Sequence, residues 1–276
     1  MNIRFFDGSQ RIGAWPPGAR IAAYGDGLFE TMRVHRGLVP WWNAHWSRLQ
    51  RGAGRLRIPL PDPEAVRDEA VSMFADDDDG VLKLVVGRGG VGRGYAPSEP
   101  AAPQWMLSRH ALPDVASSAL SATWCETRLS IQPALAGIKH CNRLEQVLAR
   151  AECSEADTDE GLMQDTEGTV VSATAANLFV LHDGRWYTPP VDRCGVAGVC
   201  RGYLLDVLGA TQVRLSVEQV EQAGAVFLSN AVRGILQLAR IGTRTWEPNP
   251  AIVDASRRLA ARHPGFEVQP AMTERS

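Results

Sequence analysis

Short apolar runs closed by turn residues recur along most of this chain, with only a few helix-like stretches between them. That rhythm restricts the fold to mixed α and β layers. Strands are expected at 3–6 (closed by the turn dipeptide Asp7-Gly8), 28–35, 38–42, 81–86, 104–108 and 119–127. Further strands are expected at 160–164, 169–172, 177–181, 185–188, 211–215 and 225–229, with Arg36-Gly37 as the turn between the 28–35 and 38–42 runs. Trp46, Leu49, Ala53 and Leu56 are spaced for one face of a helix over 44–57, despite Gly52 and Gly54. Other helices are expected at 63–75, 142–155, 198–208 and 250–262, and Leu144, Val147, Leu148 and Ala151 mark one face of the second of these. A Pro-containing stretch at about 110–118 reads as a linker. It divides a small N-terminal α/β domain (1–112) from a larger C-terminal domain (118–276).

At 276 residues, 45% hydrophobic and 22% charged, the chain can bury a core without metals or disulfides. A net charge of -2 gives no electrostatic case for nucleic acid or an anionic membrane. No apolar run approaches the roughly 18 residues of a membrane span, and the first eight residues lack a secretion-leader pattern. The five cysteines are scattered, with no CxxC pair and no histidine cluster to complete a metal site, so reduced thiols, a cytoplasmic setting and no metal are expected. Asp76–Asp79 followed by Gly80 lacks a calcium-loop pattern and reads as a solvated turn.

Lys139 precedes the helix expected at 142–155. In a partly apolar pocket it would lose basicity and act as a nucleophile or base; at a helix start it would equally serve as a solvated surface lysine. Arg48 suits either an anion or a solvent-facing helix position. The glycine-rich stretch at 87–94 lacks the terminal Lys-Ser/Thr of a nucleotide phosphate loop.

Several segments carry a resemblance in register. They are Tyr24-Gly25-Asp26-Gly27-Leu28-Phe29-Glu30-Thr31; His45-Trp46-Ser47-Arg48-Leu49; Arg88-Gly89-Gly90-Val91-Gly92-Arg93-Gly94-Tyr95; and Ala136-Gly137-Ile138-Lys139-His140 with Asn142-Arg143-Leu144-Glu145-Gln146. Ala175-Ala176-Asn177-Leu178-Phe179 and Gly198-Val199-Cys200-Arg201 complete the set. Together they resemble the class-IV aminotransferase family, pyridoxal-phosphate (PLP) enzymes of fold type IV, and within it the lyase branch. The resemblance covers about residues 1–240.

That resemblance implies a two-lobed fold, with a small α/β lobe and a larger pseudobarrel-like lobe. It implies that PLP is held as a Schiff base by Lys139, with Arg48 and the backbone of Val199 and Cys200 on its phosphate. Gly198 would begin that helix, though alone it reads as a turn residue. Asn230 and Ala231 match a second cofactor-side loop, or a plain strand-end turn. Arg93 is the candidate for a substrate carboxylate; Arg88 is a second candidate or a residue that stabilises the loop, and Asn177 is also on the substrate side. Ser172 stands where the family usually has a glutamate facing the cofactor's ring nitrogen, and a neutral serine makes the cofactor a weaker electron sink. The implied reaction converts 4-amino-4-deoxychorismate to 4-aminobenzoate and pyruvate for folate synthesis, in a homodimer. The alternatives are a D-amino-acid or branched-chain aminotransferase on the same fold, and a non-catalytic PLP-binding protein.

Overall fold

The computed structural model describes residues 2–90, 94–97, 102–113 and 119–266. The chain forms two compact units: Met1–Leu112 with Ile138–Arg143, and Pro113–Gly137 with Leu144–Ser276. The short lysine segment therefore groups with residues that precede it by a hundred positions.

The first unit contains β1 (Asn2–Asp7), β2 (Gln10–Ile12), α1 (Arg20–Tyr24), β3 (Gly27–Val34), α2 (Trp42–Leu56), α3 (Pro63–Val71), β4 (Gly80–Arg88) and β5 (Pro103–His110). Its five strands form one antiparallel sheet in the order β2-β1-β5-β4-β3. Strand alternation in β3 buries Leu28, Glu30, Met32 and Val34 on one side. Helix α2 packs on β3 and buries His45, Arg48, Leu49, Gly52 and Ala53. The spacing of those five is helical, but the stripe sits one position round from the one marked by Trp46 and Leu56. Gly52 is needed for this approach: a Cβ there would meet the Leu28 methyls at 3.0 and 3.1 Å and Ile138 at 3.5 Å. At α3, Asp62 accepts hydrogen bonds from the backbone N–H of Glu64 and Ala65 at 2.8 and 3.1 Å, with Pro63 in the first turn.

Residues 38–42 do not form the expected strand. His35 and Leu38 make a single bridge around Arg36 and Gly37, both with positive φ, and Trp42 already opens α2. The tight turn leaves no length for a second ladder.

The second unit contains β6 (Leu120–Trp124), α4 (Leu144–Glu155), β7 (Glu160–Gln164), β8 (Val170–Ala173), β9 (Asn177–His182), β10 (Arg185–Thr188), α5 (Val199–Leu208), β11 (Thr211–Gln212), α6 (Val217–Glu221), β12 (Ala225–Asn230), β13 (Gly234–Ile241), β14 (Arg244–Thr245) and α7 (Pro250–Arg262). Its sheet runs β11-β10-β9-β12-β13-β6-β7-β8, with β14 attached to β13. The β10/β11, β13/β6 and β6/β7 pairs are parallel; the others are antiparallel. The core includes Leu162, Leu178, Val180, Val226, Leu228 and Leu238.

Two expectations about this unit change in detail. Leu144, Val147, Leu148 and Ala151 of α4 face outward, the first three at 77%, 60% and 58% exposure, while Ala149 and Cys153 face the core. Small residues let α4 lie close, so its larger apolar side chains are not the ones buried. Strand 211–215 shortens to Thr211–Gln212, beyond which Leu215 makes only an isolated bridge to Val170.

Candidate active site

Lys139 lies against the free edge of β3. The Phe29 N–H donates to the Lys139 carbonyl at 3.0 Å and the Cys141 N–H to the Gly27 carbonyl at 2.9 Å, across a bridge between Leu28 and His140. Pairing to a sheet edge fixes the lysine backbone more rigidly than a loop would. The side chain is half-buried, with Nζ 4.3 Å from the Phe29 ring centre. Lys83 Nζ stands 5.4 Å from the same centre and the Arg143 guanidinium 6.0 Å. An aromatic face attracts cations, so Phe29 gathers all three. The chain has only two lysines, and both lie on this ring. Arg143 is held by bonds from Nε to the His140 carbonyl (2.9 Å) and from Nη2 to the Ile138 carbonyl (3.2 Å).

Burial pushes the Lys139 ammonium down to about 7, and the charges of Arg48, Arg143 and Lys83 act in the same direction; Glu30 opposes them. Much of this lysine is therefore unprotonated at neutral pH. Burial, with the charge of Arg143, pushes His140 down to about 4, so its imidazole is neutral there. Its Nδ1 is buried without a hydrogen-bond partner among the described residues.

On the α2 side of β3, Glu30 joins two residues of that helix. Arg48 donates from Nε to Oε1 at 2.8 Å and from Nη2 to Oε2, and His45 Nδ1 lies 2.6 Å from Oε2. All three side chains are buried. Burial alone would raise the Glu30 carboxyl; the Arg48 charge, the His45 bond and the remaining contacts outweigh it and hold the group at about 2. Burial lowers His45 despite the carboxylate, so a neutral ring donates Nδ1–H to Glu30. The Glu30 carboxylate is thus matched to Arg48, and Lys139, Lys83 and Arg143 bring three further positive groups to the Phe29 ring. That set fits an anionic group bound beside a nucleophilic lysine.

Arg88 is held within the first unit. Its Nε donates to Asp26 at 3.0 Å, Nη1 to the Arg57 carbonyl at 2.6 Å and Nη2 to the Leu56 carbonyl at 2.7 Å. These carbonyls end α2, where a cation satisfies orphan acceptors. Every nitrogen of Arg88 is engaged in the fold, in keeping with the stabilising alternative for this residue. Arg93 lies outside the described residues. Just after it, Gly94 N–H donates to the Tyr24 hydroxyl at 3.1 Å, and Arg20 donates to the carbonyls of Gly94, Tyr95 and Ala96 at 3.2, 3.0 and 3.4 Å.

In the second unit, the start of β9 meets the start of α5. Gly198 caps α5 without any side-chain bond to its first turn, which begins with Val199 and Cys200. A Cβ on Gly198 would stand 2.0 Å from Asn177 Oδ1, so only glycine fits. Asn177 donates from Nδ2 to the Val196 carbonyl at 2.9 Å, which uses its amide to shape the approach to α5. Across the ladder from Asn177 lies Ser229, whose buried Oγ lacks a hydrogen-bond partner among the described residues. Asn230 Oδ1 accepts from Val232 and Arg233 N–H at 3.0 and 2.8 Å, closing the turn beside buried Ala231. Ser172 is buried and donates to the Ala173 carbonyl at 2.9 Å.

Sequence reasoning singled out Lys139 and Arg48 but not Glu30, His45, Phe29, Lys83 or Arg143 as parts of a site. A charged residue in the buried phase of β3, and a histidine three positions before Arg48 in a helix, were the available signals.

A nucleophilic lysine on a sheet edge, set among arginines and a second lysine, defines an enzyme that handles an anionic carbonyl cofactor or substrate. The amino-transferase class IV family profile matches residues 27–241, and the chain belongs to that family. Aminodeoxychorismate lyase of Vibrio harveyi is 34% identical over 258 residues, covering 88% of this chain and 93% of its own. The crystal structure of 4-amino-4-deoxychorismate lyase from Pseudomonas aeruginosa superposes with a TM-score of 0.86 at 38% identity, over 93% of this chain and 98% of that one. An aminotransferase from Brucella abortus bound to the cofactor PLP shares the fold, with a TM-score of 0.82 at 17% identity over 94% and 98% of the two chains. The mixed α/β fold-type-IV class expected from sequence is the one observed.

Proposed function

We propose that this chain is a PLP-dependent lyase that converts 4-amino-4-deoxychorismate to 4-aminobenzoate and pyruvate. The observation that carries the reading is Lys139, fixed on β3 at the Phe29 ring and poised near neutrality. The similarity to two lyases over most of the chain selects this reaction within the family.

PLP, when bound, supplies an electron sink for the bond broken beside the substrate nitrogen. Lys139 holds the cofactor and then takes the proton from the ring carbon bearing the amine. Arg48 binds the cofactor phosphate, and in the second unit the uncapped first turn of α5 offers the N–H groups of Val199 and Cys200 to an anion. The substrate carries two carboxylates, and Lys83 and Arg143 supply positive charge for them. As the enolpyruvyl carbon–oxygen bond breaks, Lys139 returns the proton to the departing methylene carbon. Pyruvate leaves and the ring becomes aromatic; the products together have the atoms of the substrate, so no oxidant is needed.

Ser172 is neutral and its hydroxyl is committed to the Ala173 carbonyl. It cannot hold a proton on the cofactor ring by charge, which weakens transamination more than a lyase reaction driven by aromatisation. The outward stripe Leu144, Val147 and Leu148 supports the homodimer implied by the family resemblance, since apolar side chains this exposed gain from burial. Among the described residues no helix is long and apolar enough to cross a membrane, and we place the enzyme in the cytoplasm on the composition of its cysteines.

Purified protein with PLP and enzymatically made aminodeoxychorismate should yield 4-aminobenzoate and pyruvate in equal amounts, and Lys139→Ala should yield neither. Keto-acid-dependent amino transfer without those products would put the chain among the aminotransferases instead.

A further inference from the structure

We propose that Glu30 is a positioning residue that fixes the plane of Arg48, with His45 as the buried partner that keeps the carboxylate in place, so that the guanidinium is oriented before any anion arrives. The inference rests on the reading of Arg48 as the phosphate ligand.

An arginine side chain has many rotamers, and an anion that had to order it would lose binding energy to that entropy. Here two of the three guanidinium nitrogens, Nε and Nη2, grip both oxygens of one carboxylate. A planar group held at two points has no freedom to rotate about its own axis. The carboxylate is itself immobile: it sits on β3, its side chain is 1% exposed, and His45 Nδ1 holds Oε2 at 2.6 Å. His45 and Arg48 are three positions apart on α2, which puts both over the same point of the strand. The arrangement is costly, because a buried ion pair offers less than an apolar core of the same volume. A purely structural α2–β3 contact would be met by leucine and methionine, as it is by Met32 and Leu49 alongside. Keeping a carboxylate, an imidazole and a guanidinium here makes sense for presenting a charge in a set direction.

The test is the PLP dissociation constant of the apoprotein, read from the visible Schiff-base band, for the parent, Glu30→Gln, Arg48→Ala and the double variant. Glu30→Gln keeps the shape but removes the charge that holds Arg48, and is expected to weaken PLP binding at least tenfold. In the Arg48→Ala background the same substitution should change binding less than twofold, because there is no guanidinium left to orient. If Glu30→Gln fails to fold, Glu30→Asp retains the charge but falls short of the fork, and should weaken PLP in the same direction. Losses that multiply in the double variant would show Glu30 acting on the fold at large and overturn the proposal. So would normal PLP affinity of both Glu30 variants beside a weakened Arg48→Ala. Normal affinity of Arg48→Ala would instead overturn the phosphate reading on which the proposal stands.

Discussion

The two ends of the α2 neighbourhood each hold a buried arginine paired with an acid, and they serve different ends. At the first, Arg48 and His45 converge on Glu30, and the surrounding charges belong to Lys139, Lys83 and Arg143. At the second, Arg88 spends one nitrogen on Asp26 and the other two on the carbonyls of Leu56 and Arg57, while Arg20 shares the same Asp26 oxygen. Burial and an ion pair are common to both. What separates them is the partner. Arg88 gives two of its nitrogens to carbonyls at a helix end and is part of the fold there, whereas Arg48 grips both oxygens of one buried carboxylate in the charged surroundings of Lys139.

The comparison breaks most easily at its lysine. Lys139→Ala should lower lyase turnover by about a thousandfold or more, since both the cofactor attachment and the proton transfer are lost; steady-state release of 4-aminobenzoate measures it, and a loss under tenfold would remove the lysine from the chemistry. Arg88→Ala should cost about 3 kcal/mol in urea unfolding, because Asp26 and two helix-end carbonyls lose their partner together. A midpoint within error of the parent would mean the α2 terminus does not depend on it. The Glu30 carboxyl is depressed in the folded protein to about 2 from a usual 4.5, so its stabilisation is complete above that usual value and is lost as pH falls from there toward 2. Urea midpoints against pH should drop for the parent across that window and change less for Glu30→Gln. A variant as steeply pH-dependent as the parent would contradict the assignment. The smallest expected effect is at Ser172→Glu, which should raise a side transaminase activity a few-fold above the parent, followed as keto-acid-dependent amino transfer.

Much of this architecture was legible in the chain. Apolar runs closed by turn residues located β3, β4, β9 and β12, helical spacing located α2, and the helix expected at 250–262 is α7. β13 (Gly234–Ile241) was not foreseen, because the link from β12 is closed by Asn230 side-chain bonds rather than a marked turn dipeptide. Which face of α4 turns inward was not legible: burying Ala149 and Cys153 while leaving leucines outside inverts the usual rule, and only contacts show it. The site was half legible. Lys139 and Arg48 stood out by motif, but the pairing of residues 139–141 with 27–29 spans more than a hundred positions and has no local signal. The contacts of Arg88 were hidden for the same reason: a glycine-rich stretch suggests a ligand loop, yet its first arginine folds back onto the end of α2.

The central claim is that Lys139, and not its neighbour on the Phe29 ring, carries the cofactor. Because the chain contains only Lys83 and Lys139, one experiment separates them. Borohydride reduction of the PLP-loaded protein, followed by peptide mapping, should place a single pyridoxyl label on the peptide containing Lys139. A label on Lys83, or none on either lysine, would contradict the account.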